Sequence, residues 1–226
     1  MTASSKILKD WVSHNPRLAV VLNRFNPVPV SLASTEAFLS EIMRVFEDPT
    51  TFHPEELQKF PLPVILDYLY RTHQYYLSQR LPEIEQSADA LIADCGEKYP
   101  ILSLLVPFLA HYRRHLESHI RQEEASLFPY LSFLYLSEEY GEAYAKAVAG
   151  SPAPIALYAT HDEHDHQLAS GLKHWRQVIE QQHPALLAEW PCQVLFHQLD
   201  ALSTDIALHE RLEEEVLIPL GRALAG

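Results

Sequence analysis

The sequence predicts an all-α protein: an up-down four-helix bundle with a small N-terminal helical appendage. Two observations carry this. Only 6 glycines and a scarcity of Val, Ile and Thr runs argue against a sheet. Four long stretches rich in Leu, Ala, Glu, Gln and His place apolar residues three and four positions apart, the period of one helix face. With 226 residues and 47% hydrophobic content, the chain can bury a core of that size.

Residues 1–55 form the expected appendage, with short amphipathic segments near Ala19 to Phe25 and Ser34 to Phe46, separated by Asn26-Pro27-Val28-Pro29. A polar, Pro-containing connector from Asp48 to Pro63 leads into the bundle, which takes residues 56–226. The first bundle helix carries Leu66, Leu69, His73, Leu77, Ile84, Ala88 and Leu91 on one stripe, and Pro82 is expected to kink it or be absorbed by neighbours. The second carries Leu105, Leu109, Tyr112, Leu116, His119, Glu123, Leu127 and Leu131, with Pro107 predicting a late start and Pro129 a bend or stop. After a break at Gly150-Ser151-Pro152, the third carries Leu157, His161, His164, Leu168, Leu172, Trp175 and Ile179. The fourth runs through Leu195, Leu199, Leu202, Ile206, His209, Glu213, Leu217 and Leu220. Modest loops between four such helices make the up-down bundle the natural architecture.

A formal charge of −13 with only 17 Lys and Arg argues against nucleic acid and anionic membranes as partners. The longest apolar stretch, Ile101 to Ala110, is too short to span a bilayer, and the N-terminus lacks a signal-peptide core, so a cytoplasmic location is expected. Cys95 and Cys192 form no CxxC and are read as inert thiols.

The chemistry lies in the 13 histidines, concentrated after residue 70. His119-Ile-Arg-Gln-Glu123-Glu-Ala-Ser-Leu127-Phe-Pro129 is echoed by His209-Glu-Arg-Leu-Glu213-Glu-Glu-Val-Leu217-Ile-Pro219, with the His, both Glu, the Leu and the Pro in register. Residues four apart share a helix face, so each copy is a two-toothed clamp on an apolar stripe. Buried carboxylates and imidazoles cost several kcal/mol each unless something compensates them. A metal pair is the simplest compensator, and carboxylate-rich mixtures with imidazole favour iron or manganese. His73 on the first helix and His161 and His164 on the third also fall on their stripes, so all four helices turn ligand atoms inward.

Other polar residues get milder readings. His111, His115, His166 and His174 are read as surface or rim groups, and Glu124, Glu214 and Glu215 as solvated helix faces. Tyr75, Tyr76 and Tyr112 are read as core packing in preference to hydrogen-bond donors toward a bound oxygen species. Asp162, Glu163 and Asp165 serve equally well as orienting partners of an imidazole or as solvated charges.

These residues resemble the hemerythrin-type HHE cation-binding family. Within it, the chain is similar to the repair-of-iron-centres proteins. Tyr70-Arg-Thr-His73-Gln-Tyr-Tyr-Leu-Ser-Gln-Arg-Leu81-Pro82-Glu83 is similar to that branch's first bundle helix, and His161-Asp162-Glu163 to the His-Asp-Glu of its third. The likeness covers about residues 60–226. Asn15 to Phe25 resembles the start of the family's small leading domain, although the adjacent cysteines many members carry there are missing before Cys95. The resemblance implies a non-haem di-iron centre, usually oxo- or hydroxo-bridged, with His73, His119, His161 and His209 as terminal ligands and Glu123 and Glu213 bridging. Some members place the first-helix histidine one position later, where this chain has Gln74. Oxygen-carrying members use two histidines on the third helix, so His164 stands beside His161.

The function implied is protection or repair of iron-sulfur clusters under nitrosative or oxidative stress, by iron supply, NO removal or both. O2 or NO is the expected small ligand, and iron-sulfur proteins are the expected clients. The rival readings are reversible O2 or NO binding or sensing without turnover, and a purely structural bundle that has lost its metal.

Overall fold

Pro82, Pro129 and Pro219 stand inside long helical runs, and the way the backbone passes them organises the fold. Proline has no N–H to give, and its ring presses on the carbonyl four residues earlier. At each of the three the chain answers with a widened π turn, at Tyr76–Arg80, Glu123–Leu127 and Glu213–Leu217. Each closes with a bond five residues back, from Leu81 N–H to Tyr76 O, from Phe128 N–H to Glu123 O and from Ile218 N–H to Glu213 O. One extra residue enters each turn, and the helix continues instead of kinking. The bend or stop expected at Pro129 therefore does not occur, and that run continues to Tyr140. Pro107 sits in the first turn of its helix, where a missing N–H costs nothing.

The structure, a computed structural model, describes residues 32–140 and 162–225. The described elements are α1 (Leu32–Glu47), α2 (Pro54–Leu57), α3 (Leu62–Tyr75), α4 (Leu81–Cys95), α5 (Leu105–Gln122), α6 (Phe128–Tyr140), α7 (Asp162–Gln182), α8 (Trp190–Leu212) and α9 (Ile218–Ala225). The three π turns join α3 to α4, α5 to α6 and α8 to α9. No strand occurs among the described residues, so the all-α expectation holds. The predicted segment Ala19 to Phe25, the Gly150 break, Leu157 and His161 lie outside the described residues. No helix among the described residues is long and apolar enough to cross a membrane.

Of the described chain, residues 73–140 and 162–211 form one compact unit holding parts of all four long runs. Helices α4 and α5 are joined through a 3₁₀ turn at Pro100–Leu104, and α7 and α8 through another at Pro184–Ala188. Such short connectors make neighbouring helices antiparallel. Arg113 grips Glu85 with two bonds of 2.7 Å between α5 and α4, and Arg176 holds Asp200 between α7 and α8. Inside, Leu91, Leu105, Phe108, Ile179, Leu195 and Leu199 meet from four elements. Each Leu or Ile so removed from water contributes about 1.5–3 kcal/mol.

The second unit comprises residues 32–72 and 212–225 of the described chain. Here α1 buries Phe38, Leu39, Ile42 and Met43, and Phe38 meets Phe60 and Tyr68 edge to face at 5.3 and 5.6 Å. The π turn before Pro219 is stabilised from this unit. Glu215 lies four residues before the proline, so its carbonyl receives no helical N–H from Pro219, and Gln58 Nε2 donates to it at 2.8 Å.

Candidate metal centre

The i, i+4 spacing on an apolar stripe places His119 and Glu123 side by side, and His209 one turn before Glu213. Glu123 and Glu213 are each the first residue of a π turn and are almost wholly buried, at 1% and 2% exposure. His73 is buried to the same degree, whereas Gln74, the rival position, is exposed. The π turn at Tyr76–Arg80 accounts for this offset. Its extra residue lengthens the stretch between His73 and Leu81-Pro82, so position 73 takes the inward face.

Within residues 73–211 the ligand atoms of His73, Glu123 and His209 lie within 4.8 Å of one another. Glu123 is held from two sides: Oε1 stands 2.5 Å from His119 Nε2, and Oε2 stands 3.2 Å from His73 Nε2. Burial by itself would raise its pKa, but the hydrogen bonds from His119 and His73 outweigh burial and hold it well below the carboxylate range. It is therefore an anion in the core.

His73 Nδ1 lies 3.0 Å from Glu124 Oε1, a contact that would hold the ring proton on Nδ1 and free Nε2 for a metal ion. Phe128 stacks on the same ring, 8° from parallel. His73 Nε2 faces His209 Nε2 at 3.0 Å. Burial, then the charge carried by a protonated His73 beside it, push the His209 pKa down to about 3, so the His209 imidazole is neutral. Two ring nitrogens stand that close only with a proton or a metal ion shared between them. The donor set, imidazoles around a buried anionic carboxylate, suits a transition-metal ion.

A match to a known family decides the class. The hemerythrin HHE cation-binding domain matches residues 64–221, a stretch that includes every candidate ligand. The chain belongs to this family. Among curated proteins, this hemerythrin-type chain is similar to the iron-sulfur cluster repair protein YtfE of Citrobacter koseri (strain ATCC BAA-895), at 25% identity over 193 residues, covering 84% of this chain and 78% of the relative. The proteins of that name from Escherichia coli (strain K12 / DH10B) and Shigella boydii serotype 18 show the same identity and coverage. No solved structure matches the chain.

The hemerythrin-type site draws on two residues that the pattern did not single out. Glu124, expected on a solvated face, instead turns its carboxylate to His73 with a side chain 24% exposed. The repeat contains a hint of it, since the second Glu recurs as Glu214, but Glu214 is exposed. Asp205 is buried one turn before His209, and its charge favours a cation there. Its i, i+4 spacing from His209 was the available signal. Of the rim histidines, His111 and His174 are exposed, and the His115 ring lies 4.8 Å from that of His111. His164 belongs to α7, but its side chain is outside the described set.

Both thiols fit the inert reading. Cys95 and Cys192 are buried and unbridged, and burial pushes Cys192 up to about 11.

Glu124→Ala should lower metal affinity about 10- to 100-fold while the protein stays folded, because the His73 tautomer loses its anchor. Competition against a chromophoric chelator measures this, and an unchanged affinity would show the Glu124 contact to be incidental.

Proposed function

We propose that this chain is a cytoplasmic di-iron protein that protects or repairs iron-sulfur clusters under nitrosative or oxidative stress. The observation that carries the reading is the pair of facing Nε2 atoms of His73 and His209 beside a carboxylate whose two oxygens address different imidazoles. The arrangement supports two ion positions sharing Glu123. One would use His73, His209 and Oε2. The other would use His119 and Oε1, completed by His161, His164 or both from the third run. By its place in the repeat, Glu213 would be the second bridging carboxylate.

An iron pair held here supplies binding of O2 or NO and one-electron exchange. The protein's own groups set the conditions for that chemistry. Glu124 keeps the His73 proton on Nδ1, and the buried Glu123 balances cationic charge. Leu116, Ile120 and Ile206 supply an apolar wall to a cavity beside His73, His119 and His209. The repair role itself is supported by the relatives, whose name states iron-sulfur cluster repair.

The test is reactivation of a [4Fe–4S] dehydratase that has been inactivated by NO. Iron-loaded wild-type protein should restore its activity anaerobically, and His73→Ala protein should not. Loaded protein that takes up NO but restores nothing would replace repair by reversible ligand binding or sensing.

A further inference from the structure

The three π turns are in register with one another. Each ends two residues before its proline, and each begins six residues before it, at Tyr76, Glu123 and Glu213. In the second and third runs that first position holds the buried carboxylate of the clamp. In the first run it holds a tyrosine. Tyr76 is 1% exposed, and its hydroxyl oxygen is sealed from solvent. The ring meets His209 edge-on at 5.9 Å between centroids.

Tyr76 also lines the cavity of about 20 Å³ shared with His73, His119 and His209, space for roughly one water-sized molecule. The other described lining residues are Leu116, Ile120, Ile206 and Glu210, so among the described residues the phenol is the only hydroxyl in the wall. Tyr75, its neighbour in sequence, is not part of that wall. Core packing alone does not require a hydroxyl here. Phenylalanine would fill the same volume, so the hydroxyl calls for a reason other than packing.

We propose that Tyr76 is the ligand-contacting hydrogen-bond donor of the site, its phenol donating to a diatomic or hydroxide-sized ligand bound in this cavity. This rests on the metal-centre reading above. A ligand with a partly negative terminal atom gains from a neutral donor in a water-poor pocket, where such a bond is stronger than in water. A neutral phenol also donates without introducing a second charge beside Glu123. Ligands without an acceptor atom gain nothing, so the residue selects by chemistry as well as by size.

The probe is nitric oxide bound anaerobically to the Fe(II)-loaded full chain. Tyr76→Phe removes only the hydroxyl. It should retain wild-type iron content and release NO about three- to ten-fold faster, the loss of one hydrogen bond. Tyr75→Phe should match the wild type. In the wild type, the vibrational bands of bound NO should shift on transfer from H2O to D2O, and Tyr76→Phe should lose the shift, a readout independent of turnover. Equal NO release with equal isotope behaviour in wild type and Tyr76→Phe, at full iron loading, overturns the role of Tyr76 and leaves the metal centre standing. Loss of iron from Tyr76→Phe also overturns it, since the phenol would then serve the metal and not its ligand. A wild-type chain that binds no iron overturns both readings.

Discussion

Glu123→Ala should abolish iron retention, with affinity falling by at least about 100-fold, more than removal of an outer hydrogen-bond partner costs. The reason is geometric: Glu123 Oε1 faces His119 and Oε2 faces His73, so one substitution strips an anionic donor from both proposed ion positions. The metal-free variant should also lose about 1–3 kcal/mol, because the buried His73 and the half-buried His119 lose the carboxylate between them. Elemental analysis with chemical denaturation of the apo-protein separates the two effects. Iron content at wild-type level would remove Glu123 from the centre.

A comparably large effect is expected from iron itself. Ferrous ion in about 1,000-fold excess over its dissociation constant stabilises the folded chain by about 4 kcal/mol through linkage. For a chain of this size that corresponds to a rise of roughly 8–16 °C in Tm. Glu213→Ala should behave differently. Its apo-protein should be no less stable than wild-type apo-protein, since a buried charge has been replaced by a group that packs. Added Fe(II) should move its Tm little. Equal iron-induced shifts in the two proteins would exclude Glu213 from the site and return the fourth-helix clamp to ordinary packing.

The helices were legible because their signal is redundant. Leu105, Leu109, Leu116 and Leu127 repeat one spacing over several turns, and a single misplaced residue does not erase the pattern. The clamps were legible for a related reason, since His119–Glu123 and His209–Glu213 put polar groups on apolar stripes twice in the same register. The burial of Glu123, His209 and Glu213 agrees with that placement.

The π turns were not legible. A proline inside a helix dictates only that one hydrogen bond is missing. Whether the chain kinks at Pro129 or widens at Glu123–Leu127 depends on what packs around it and which donor reaches the freed carbonyls, as Gln58 does at Glu215. The misreading of Glu124 follows from the same source. In an unbroken α-helix the residue after an inward Glu123 turns sideways toward solvent. Inside a π turn the spacing changes, and Glu124 reaches His73. The choice between His73 and Gln74 needed the same extra residue at Tyr76–Arg80, which the sequence does not announce.

The most direct test of the central claim is the iron count of protein prepared anaerobically from iron-replete cells, measured with Mössbauer spectra of the same sample. Two imidazole sets on opposite oxygens of one carboxylate predict close to two iron per chain, with the ferric pair exchange-coupled through the shared ligands. A reproducible value near one iron per chain, zinc in its place, or two uncoupled ferric ions would contradict it.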